Sequence, residues 1–359
     1  MASSTGTARQ LDVLIYGSGA VGSYFGAALA ESGVRVTLLC RERQADQLRR
    51  RGVTLLGSSS RSRIEAHPTI ITSIDQLAHQ PDIVLVCTKA YDVEPALPGL
   101  LRLGRSGALI ILVQNGIGSE ELLLANTRPR QLSLAAASLT VSVDRRPDGD
   151  IRTANERGGL ALAVVREDSS TQDRLSWLTS AFTQAGLTSL ILDRWQPMKW
   201  SKLLLNLLGN ATSAILAMPP GDIYRDPRLF ALERAAFFEA LATMLGSGWF
   251  PVGLPGFNVP LLTQLMRLPP ALGRRLLASR VGGGRGAKRP SLWIDVERSR
   301  VPTEAGWLNG AVAREAERLG IPAPVNRRLA ELVDQLAAGE IDRSRFAGHP
   351  DALLRELGI

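Results

Sequence analysis

Short apolar runs and amphipathic stretches alternate through the first half of the chain, a pattern that predicts an α/β fold. The apolar runs predict strands over residues 11–16, 34–40, 62–70, 81–90 and 106–116. Two of these strands contain the runs DIVLVC and ALIILV, which are continuously apolar apart from the first aspartate, as expected of strands that are covered on both faces of a parallel sheet. The N-terminal part of the chain is therefore predicted to form such a sheet.

A different pattern begins near Asp193. Residues 131–192 still contain strand-like runs, with one helix near 171–185, but beyond Asp193 helical periodicity replaces them. The predicted helices there cover residues 197–215, 228–247, 258–279, 303–319 and 325–338. We therefore predict an α/β domain over residues 11–192 and an all-helical domain over residues 193–340.

The two ends of the chain carry less information. The first ten residues lack the apolar core of a signal peptide, so residues 1–10 are predicted to be a disordered leader. Residues 341–359 are predicted to be a short helical tail. The best apolar run, ALIILV, is far shorter than the roughly 18 to 20 residues of a membrane span. We expect no membrane partner and a cytoplasmic location.

A glycine motif lies between the first strand and a helical stretch over residues 20–31. In GxGxxG the first glycine permits a tight turn, the second lets the backbone approach a pyrophosphate, and the third lets helix and strand pack closely. Together with the second strand, this makes a complete βαβ unit and predicts dinucleotide binding. The predicted contacts are Gly17, Ser18, Gly19, Ala20, Val21 and Gly22.

The end of the second strand bears on the choice of cofactor. A carboxylate there would bind the ribose 2′-hydroxyl of NAD, whereas an arginine favours the 2′-phosphate of NADP. Arg41 follows the strand directly, and Arg43 comes two residues later. We therefore predict NADP(H), although Glu42 between them would also suit NAD.

Polar residues close two further strands. In an open α/β sheet the carboxyl ends of the strands line the ligand crevice. Lys89 at one such end could reach a cofactor phosphate or ribose, or could simply be an exposed loop lysine. Asn115 closes the next strand, and the glycines that follow it leave its backbone open to close approach.

A line of polar residues runs through the apolar segment 197–215. Lys202, Asn206 and Asn210 are spaced by four residues, so on one continuous helix they share one face. Such a helix is otherwise apolar enough to be buried, and buried polar groups require partners. The line either faces solvent from a core helix or faces a cleft in which a polar ligand binds.

A second polar cluster lies in residues 290–326. Ser291 and Asp295 are four residues apart, and Thr303 is a candidate N-cap for a helix that starts with Glu304. Glu304 at this position either complements the helix dipole or faces the same cleft.

Composition narrows the class of protein. The 359 residues carry a net charge of +8, from short clusters of basic residues. Few aromatic residues lie among them and no nucleic-acid-binding motif is present, so nucleic acid is not the expected partner. Cys40 and Cys87 each end a predicted strand and are read as small buried hydrophobic residues rather than as a disulfide. No metal site is predicted.

The motifs together resemble the ketopantoate reductase family (2-dehydropantoate 2-reductase). The resemblance spans about residues 11–335 and rests, in this order, on GSGAVG, CTKA, QNGIGSEE, KWSKLLLNLLGNATSAI, PSLWIDV and PTEAGWLNGAV. It implies a Rossmann dinucleotide-binding domain, a helical domain, an active site in the cleft between them, and NADPH-dependent reduction of 2-dehydropantoate to pantoate.

The resemblance also implies roles for single residues. Lys202 matches the general acid and Glu304 matches an active-site glutamate that also faces the cofactor. The substrate-binding positions are Asn206, Asn210, Ser291 and Asn115. The cofactor-facing positions are Gly17 to Gly22, Arg41, Lys89 and Asn115.

Two departures from the family pattern leave the substrate open. Gly306 replaces a common aspartate, and Pro220 lies where an Asn-Gly pair is usual. The alternatives are reduction of another 2-oxo acid or a bulkier ketone, a non-catalytic NADP(H) sensor, and an opine-type or 3-hydroxyacid dehydrogenase. A homodimer through the apolar segment 229–250 is possible, although we favour core packing for that segment.

Overall fold

The computed structural model describes residues 10–57, 63–128, 131–153, 158–276 and 289–358. Residues 1–9 of the predicted leader lie outside this part of the chain. The strands are β1 (Asp12–Tyr16), β2 (Arg35–Leu39), β3 (Val53–Leu56), β4 (Arg63–Ala66), β5 (Thr69–Ile71), β6 (Ile83–Val86), β7 (Leu109–Leu112), β8 (Ser133–Leu139), β9 (Val143–Arg145), β10 (Ile151–Thr153), β11 (Leu160–Arg166) and β12 (Ser189–Ile191).

The helices are α1 (Ala20–Glu31), α2 (Glu42–Arg51), α3 (Val93–Arg105), α4 (Ser119–Ala125), α5 (Thr171–Gln184), α6 (Trp195–Leu207), α7 (Ala211–Leu216), α8 (Pro220–Arg225), α9 (Pro227–Gly246), α10 (Val259–Arg267), α11 (Ser291–Glu297), α12 (Asn309–Arg318), α13 (Pro324–Ala338) and α14 (Pro350–Glu356). Short 3₁₀ turns cover Ile74–Gln76, Ala90–Asp92, Glu304–Trp307 and Arg343–Arg345. Among the helices of the described residues, none combines the length and the apolar character needed to traverse a lipid bilayer.

By its internal contacts the chain divides into two units. The first consists of Met1–Thr88, Pro95–Val113 and Leu123–Asp193. The second consists of Arg194–Ile359 together with two short earlier segments, Lys89–Glu94 and Gln114–Leu122. Each unit is described by itself below.

The first unit is built on an eight-stranded sheet in the order β12-β11-β8-β7-β6-β1-β2-β5. The six strands from β8 to β5 pair in parallel, whereas β11 runs antiparallel to β8. All four residues of β6 and all four of β7 are buried, as the unbroken apolar runs predicted. The sheet and its βαβ start confirm the predicted Rossmann-type fold.

A smaller sheet in the order β4-β3-β10-β9 completes this unit. The prediction of one strand over residues 62–70 is wrong, because this stretch forms two strands. Strand β4 belongs to the small sheet and β5 to the large one. Pro68 lies between them, and a proline has no amide to donate to a strand ladder, so the strand is interrupted there.

The second unit is helical, and α9 is at its centre. Helix α9 packs against α6, α8, α12, α13 and α14, and ten of its side chains are buried. The C-terminal α14 buries Leu353 and Leu354, and an exposed ion pair links it to α9, with 2.5 Å between the nearest nitrogen of Arg228 and oxygen of Asp351. The apolar segment predicted as a core helix is therefore largely interior.

Three predicted helices are shorter than expected. The segment 197–215 is two helices, because Leu208 is extended and Gly209 has a φ of +62°. Within the segment 258–279, helix α10 ends at Arg267, just before Pro269 and Pro270. Residues 277–279 lie outside the described part. The segment 303–319 begins as the 3₁₀ turn Glu304–Trp307 before α12.

Candidate functional site

The glycine loop joins β1 to α1 in the form that a dinucleotide requires. A Cβ on Gly22 would lie 1.9 Å from the carbonyl oxygen of Gly17, so the helix can pack this closely only with glycine. Gly19 is exposed, and a Cβ there would have Cys87 O, at 3.8 Å, as its nearest neighbour. The amino end of α1 is thus open to close approach by a phosphate. The loop residues fit a pyrophosphate group.

An arginine that the sequence pattern did not single out lies beside this loop. Arg145, on β9, donates to the carbonyl oxygen of Ser18 at 2.5 Å and to Ser23 Oγ at 2.8 Å. Burial lowers the pKa of its guanidinium. A three-residue strand gives too short a pattern to be recognised, so no sequence signal predicted a cation here.

The end of β2 presents charged side chains to solvent. Arg41 is the N-cap residue of α2, Glu42 is its first residue, and both are exposed, as is Arg43. Ser18 of the glycine loop is tied to the same helix, because its hydroxyl donates to Gln44 Oε1 at 3.0 Å. The residues predicted to choose between the two nicotinamide cofactors therefore lie at the start of a helix that contacts the glycine loop.

In the second unit, Lys89 is paired with two buried carboxylates. Its ammonium forms an ion pair with Glu304 and lies 3.7 Å from Asp295 Oδ2. The carboxylate side chains are 4% and 1% exposed, whereas that of Lys89 is 34% exposed. Burial disfavours the charged lysine, but the charges of Glu304 and Asp295 outweigh it and raise the pKa of Lys89. Lys89 thus stays protonated at neutral pH.

The predicted amide cluster is partly assembled in the same unit. Asn206 Nδ2 donates to Asn115 Oδ1 at 3.2 Å. Lys202 precedes Asn206 by one turn of α6, and both are half-buried while Asn115 is exposed. The backbone beside Asn115 is fixed as well, because the amide of Ile117 donates to Trp307 O at 3.0 Å. The loop after β7 is therefore held to both α6 and the Glu304–Trp307 turn.

Asn210 contacts the helix that carries Ser291, but it does not lie on the helix face predicted for it. Asn210 is the N-cap residue of α7 and lies beyond the break at Gly209, so it does not continue the line of Lys202 and Asn206 on one helix. Its side chain is buried, and its Oδ1 accepts the amide hydrogen of Leu292 at 3.3 Å. Ser291, half-buried, is the first residue of that next helix, α11.

Thr303 acts as the predicted N-cap. Its hydroxyl accepts the amide hydrogen of Ala305 at 3.0 Å and donates to Asp334 Oδ1 at 2.6 Å. The cap starts the 3₁₀ turn that carries Glu304, and so fixes the backbone position from which the Glu304 side chain extends.

A buried glutamate supports the helix break. Glu233 of α9 is 4% exposed; its Oε2 accepts the amide hydrogen of Gly209 and its Oε1 the hydroxyl hydrogen of Thr212, both at 2.6 Å. The sequence did not single it out, because α9 also carries the charged residues Arg228, Arg234 and Glu239. Glu233 fixes the junction that carries Asn210.

We expect Glu233→Gln to destabilise the protein by about 1 to 3 kcal/mol, because the glutamine offers one acceptor where the carboxylate offers two. Urea unfolding would measure the change. Glu331→Gln is the control, since Glu331 makes an exposed ion pair with Arg328 within α13 and should change the unfolding free energy by less than about 0.5 kcal/mol. Equal midpoints for all three proteins would contradict the assignment.

The comparisons with known proteins agree with this geometry. Residues 13–166 match the family described as Ketopantoate reductase PanE/ApbA, and residues 194–337 match the C-terminal part of the same family. The 2-dehydropantoate 2-reductase of Archaeoglobus fulgidus is 25% identical over 328 residues, 91% of this chain and 98% of the relative. That of Halobacterium salinarum is 26% identical over 324 residues, 89% of this chain and 97% of the relative.

Solved structures give the same result. A PanE/ApbA family ketopantoate reductase from Ralstonia eutropha JMP134 superposes with a TM-score of 0.75 at 25% identity, over 92% of this chain and 99% of that one. D-mandelate dehydrogenase with NADH and anilino(oxo)acetate superposes with a TM-score of 0.75 over the same shares, but at 20% identity it shows the fold alone. Together with the family match, this fold defines the class of the protein, an oxidoreductase that acts on CH-OH groups. The chain belongs to the ketopantoate reductase family.

Proposed function

We propose that this protein catalyses the NADPH-dependent reduction of 2-dehydropantoate to pantoate. The observation that carries the proposal is the assembly, within the second unit, of a lysine and an asparagine on α6 with Asn115 of the loop after β7. This set combines a proton donor with amides suited to a hydroxylated acid. The names of the Archaeoglobus and Halobacterium relatives support the same substrate.

The chain's own residues suit each part of this reaction. When bound, the reduced cofactor supplies the hydride. Gly17 to Gly22 and Arg41 would hold its phosphates, and Lys89 is the further residue assigned to the cofactor. The ketone oxygen gains negative charge as it is reduced, and a cation that can donate a proton lowers the barrier. Lys202 would donate this proton.

The remaining polar groups would orient the substrate. Asn206 and Asn115 present carboxamides beside each other, and they can donate to or accept from a substrate hydroxyl. Asn210 accepts the amide hydrogen of Leu292, the residue after Ser291, so it lies close to the start of α11, where the Ser291 hydroxyl would donate to a substrate carboxylate. Glu304, which pairs with Lys89 in the structure, would hold the new hydroxyl in place.

The preference for NADPH is assigned to Arg41. We expect Arg41→Ala to weaken NADPH binding about tenfold or more and to change NADH binding little, because a charge-assisted hydrogen bond to the 2′-phosphate contributes roughly 1.5 to 3 kcal/mol. Fluorescence titration with each cofactor measures this. Arg35→Ala is the control, because Arg35 lies at the other end of β2 in an ion pair with Asp12. Equal losses for both cofactors would contradict the assignment.

A second candidate is reduction of another 2-oxo acid or of a bulkier ketone. A Cβ on Gly306 would meet nothing within 4 Å, so the position where the family commonly has an aspartate leaves room. D-mandelate dehydrogenase, which has the same fold, was solved with anilino(oxo)acetate, an acid with an aromatic substituent.

The test is oxidation of NADPH and NADH against 2-dehydropantoate and a panel of 2-oxo acids, including the 2-oxo-2-phenylacetate that corresponds to mandelate. The proposal requires the highest kcat/KM for 2-dehydropantoate with NADPH. Faster turnover of the phenyl compound would favour the second candidate. No turnover of any ketone, together with tight NADPH binding, would favour the sensor.

A further inference from the structure

Helix α6 carries a second lysine that the proposed reaction does not use. Lys199 and Lys202 are three residues apart and Asn206 follows four later, so all three lie on one face of α6. The Lys199 side chain is 2% exposed. Its ammonium lies 2.9 Å from Glu120 Oε1, and the Glu120 side chain is 0% exposed.

The same ammonium makes a second contact with the loop after β7. Lys199 Nζ donates to the carbonyl oxygen of Gln114 at 2.6 Å. Gln114 and Glu120 are the two ends of a seven-residue segment of the second unit, and Asn115 lies within it. One buried lysine therefore fixes both ends of the segment that presents Asn115 to Asn206.

Stability alone does not account for this ion pair. Removing two charges from water costs several kcal/mol for each ion, and an apolar pair of similar volume is often as stable or more stable. What a buried pair provides beyond packing is one defined geometry, because Lys199 satisfies its charge only when both Glu120 and Gln114 are in place.

We propose that Lys199 and Glu120 are positioning residues, which set the carboxamide of Asn115 against Asn206 so that a 2-oxo acid is bound in one orientation. The inference rests on the proposed function. It assigns no chemical step to either residue: Lys199 neither touches the substrate nor gives up its proton. Its contribution is to the placement of Asn115.

The test is a double-mutant cycle. Its first change replaces both charges by apolar groups, and its second change is Asn115→Ala. Lys199→Met with Glu120→Leu removes the ion pair without leaving an unpaired buried charge. We expect it to fold, to bind NADPH as tightly as the parent, and to have kcat/KM for the 2-oxo acid lowered by about tenfold or more, since small misplacements of positioning groups are costly.

Making the same double replacement in an Asn115→Ala protein distinguishes an effect through Asn115 from a general loss of structure. If the pair acts through Asn115, then in a protein that already carries Asn115→Ala the double replacement should change kcat/KM little. An equal loss in both backgrounds would overturn the proposal. The control is Arg328→Met with Glu356→Leu, an ion pair between α13 and α14 in the same unit, which should leave kcat/KM unchanged.

Hydrogen–deuterium exchange of residues 114–122 gives a readout that does not need turnover. We expect the double variant to exchange faster in this segment and to match the parent in α9. Unchanged exchange in residues 114–122 would overturn the positioning role even if the proposed reaction is correct. If the parent reduces no ketone, the proposed function fails, and the exchange result alone decides whether the pair orders the Asn115 segment.

Discussion

Replacing Lys202 by alanine is expected to lower kcat by about 10²- to 10⁴-fold and to leave NADPH affinity unchanged. The reason is that a ketone oxygen receiving a hydride develops negative charge, and an alanine can neither neutralise that charge nor donate a proton. Lys202 is half-buried on α6, one turn from the Asn206 that bonds Asn115, so it lies among the groups assigned to the substrate.

Pre-steady-state and steady-state NADPH oxidation with 2-dehydropantoate would measure the loss, and fluorescence titration would measure cofactor affinity. Arg194→Ala is the matched control: Arg194 is the N-cap residue of α6, exposed, and lies over the ring of Trp249 with 5.9 Å between guanidinium carbon and ring centre. The Arg194→Ala substitution removes a cation from the start of the same helix, and this variant should retain the parental kcat. A Lys202→Ala protein with parental turnover would refute the role of Lys202 as general acid.

The second large effect is expected at the glycine loop, where alanine at two positions should change cofactor affinity and stability differently. Gly19→Ala should reduce dinucleotide affinity about tenfold or more and leave thermal stability unchanged. Gly19 has φ −63° and ψ −174°, which any residue adopts, and an added methyl would meet no protein atom nearer than 3.8 Å. The methyl would instead occupy the space through which a pyrophosphate approaches the helix.

Gly22→Ala should reduce both affinity and stability. Its methyl would lie 1.9 Å from Gly17 O and 3.1 Å from Cys87 Cβ, so α1 would have to move away from β1. Overpacking of this kind costs about 1 to 3 kcal/mol or more. Calorimetric binding of NADPH and thermal unfolding of the two variants and the parent measure both quantities. If Gly19→Ala bound NADPH normally, the loop would not be the pyrophosphate site.

Much of the fold could be predicted because its signals are local. The runs that became β6 and β7 are unbroken and apolar, and the GxGxxG sequence fixes a turn through sterics alone. The short strands β3, β9 and β10 could not be predicted, since three or four residues give too little periodicity to distinguish a strand from a loop. Arg145 was missed for that reason.

The spacing of the candidate site residues could be read from the sequence, but most of their contacts could not. Spacing placed Lys202 and Asn206 on one helix face correctly, but the left-handed Gly209 ends that face before Asn210. The contacts of Glu304 with Lys89 and of Lys199 with Glu120 join residues 215 and 79 positions apart in the chain. No periodicity records such pairs, because each depends on how distant segments are brought together.

The division of the chain sets a limit on recombination between relatives. The segments Lys89–Glu94 and Gln114–Leu122 belong to the helical unit, although most of that unit begins at Arg194. A chimera joined at residue 193 would combine Glu120 of one parent with Lys199 of the other, and Lys89 of one with Glu304 of the other. If the second unit binds the substrate as proposed, exchange of substrate preference between homologues requires its three segments to be transplanted together, not one.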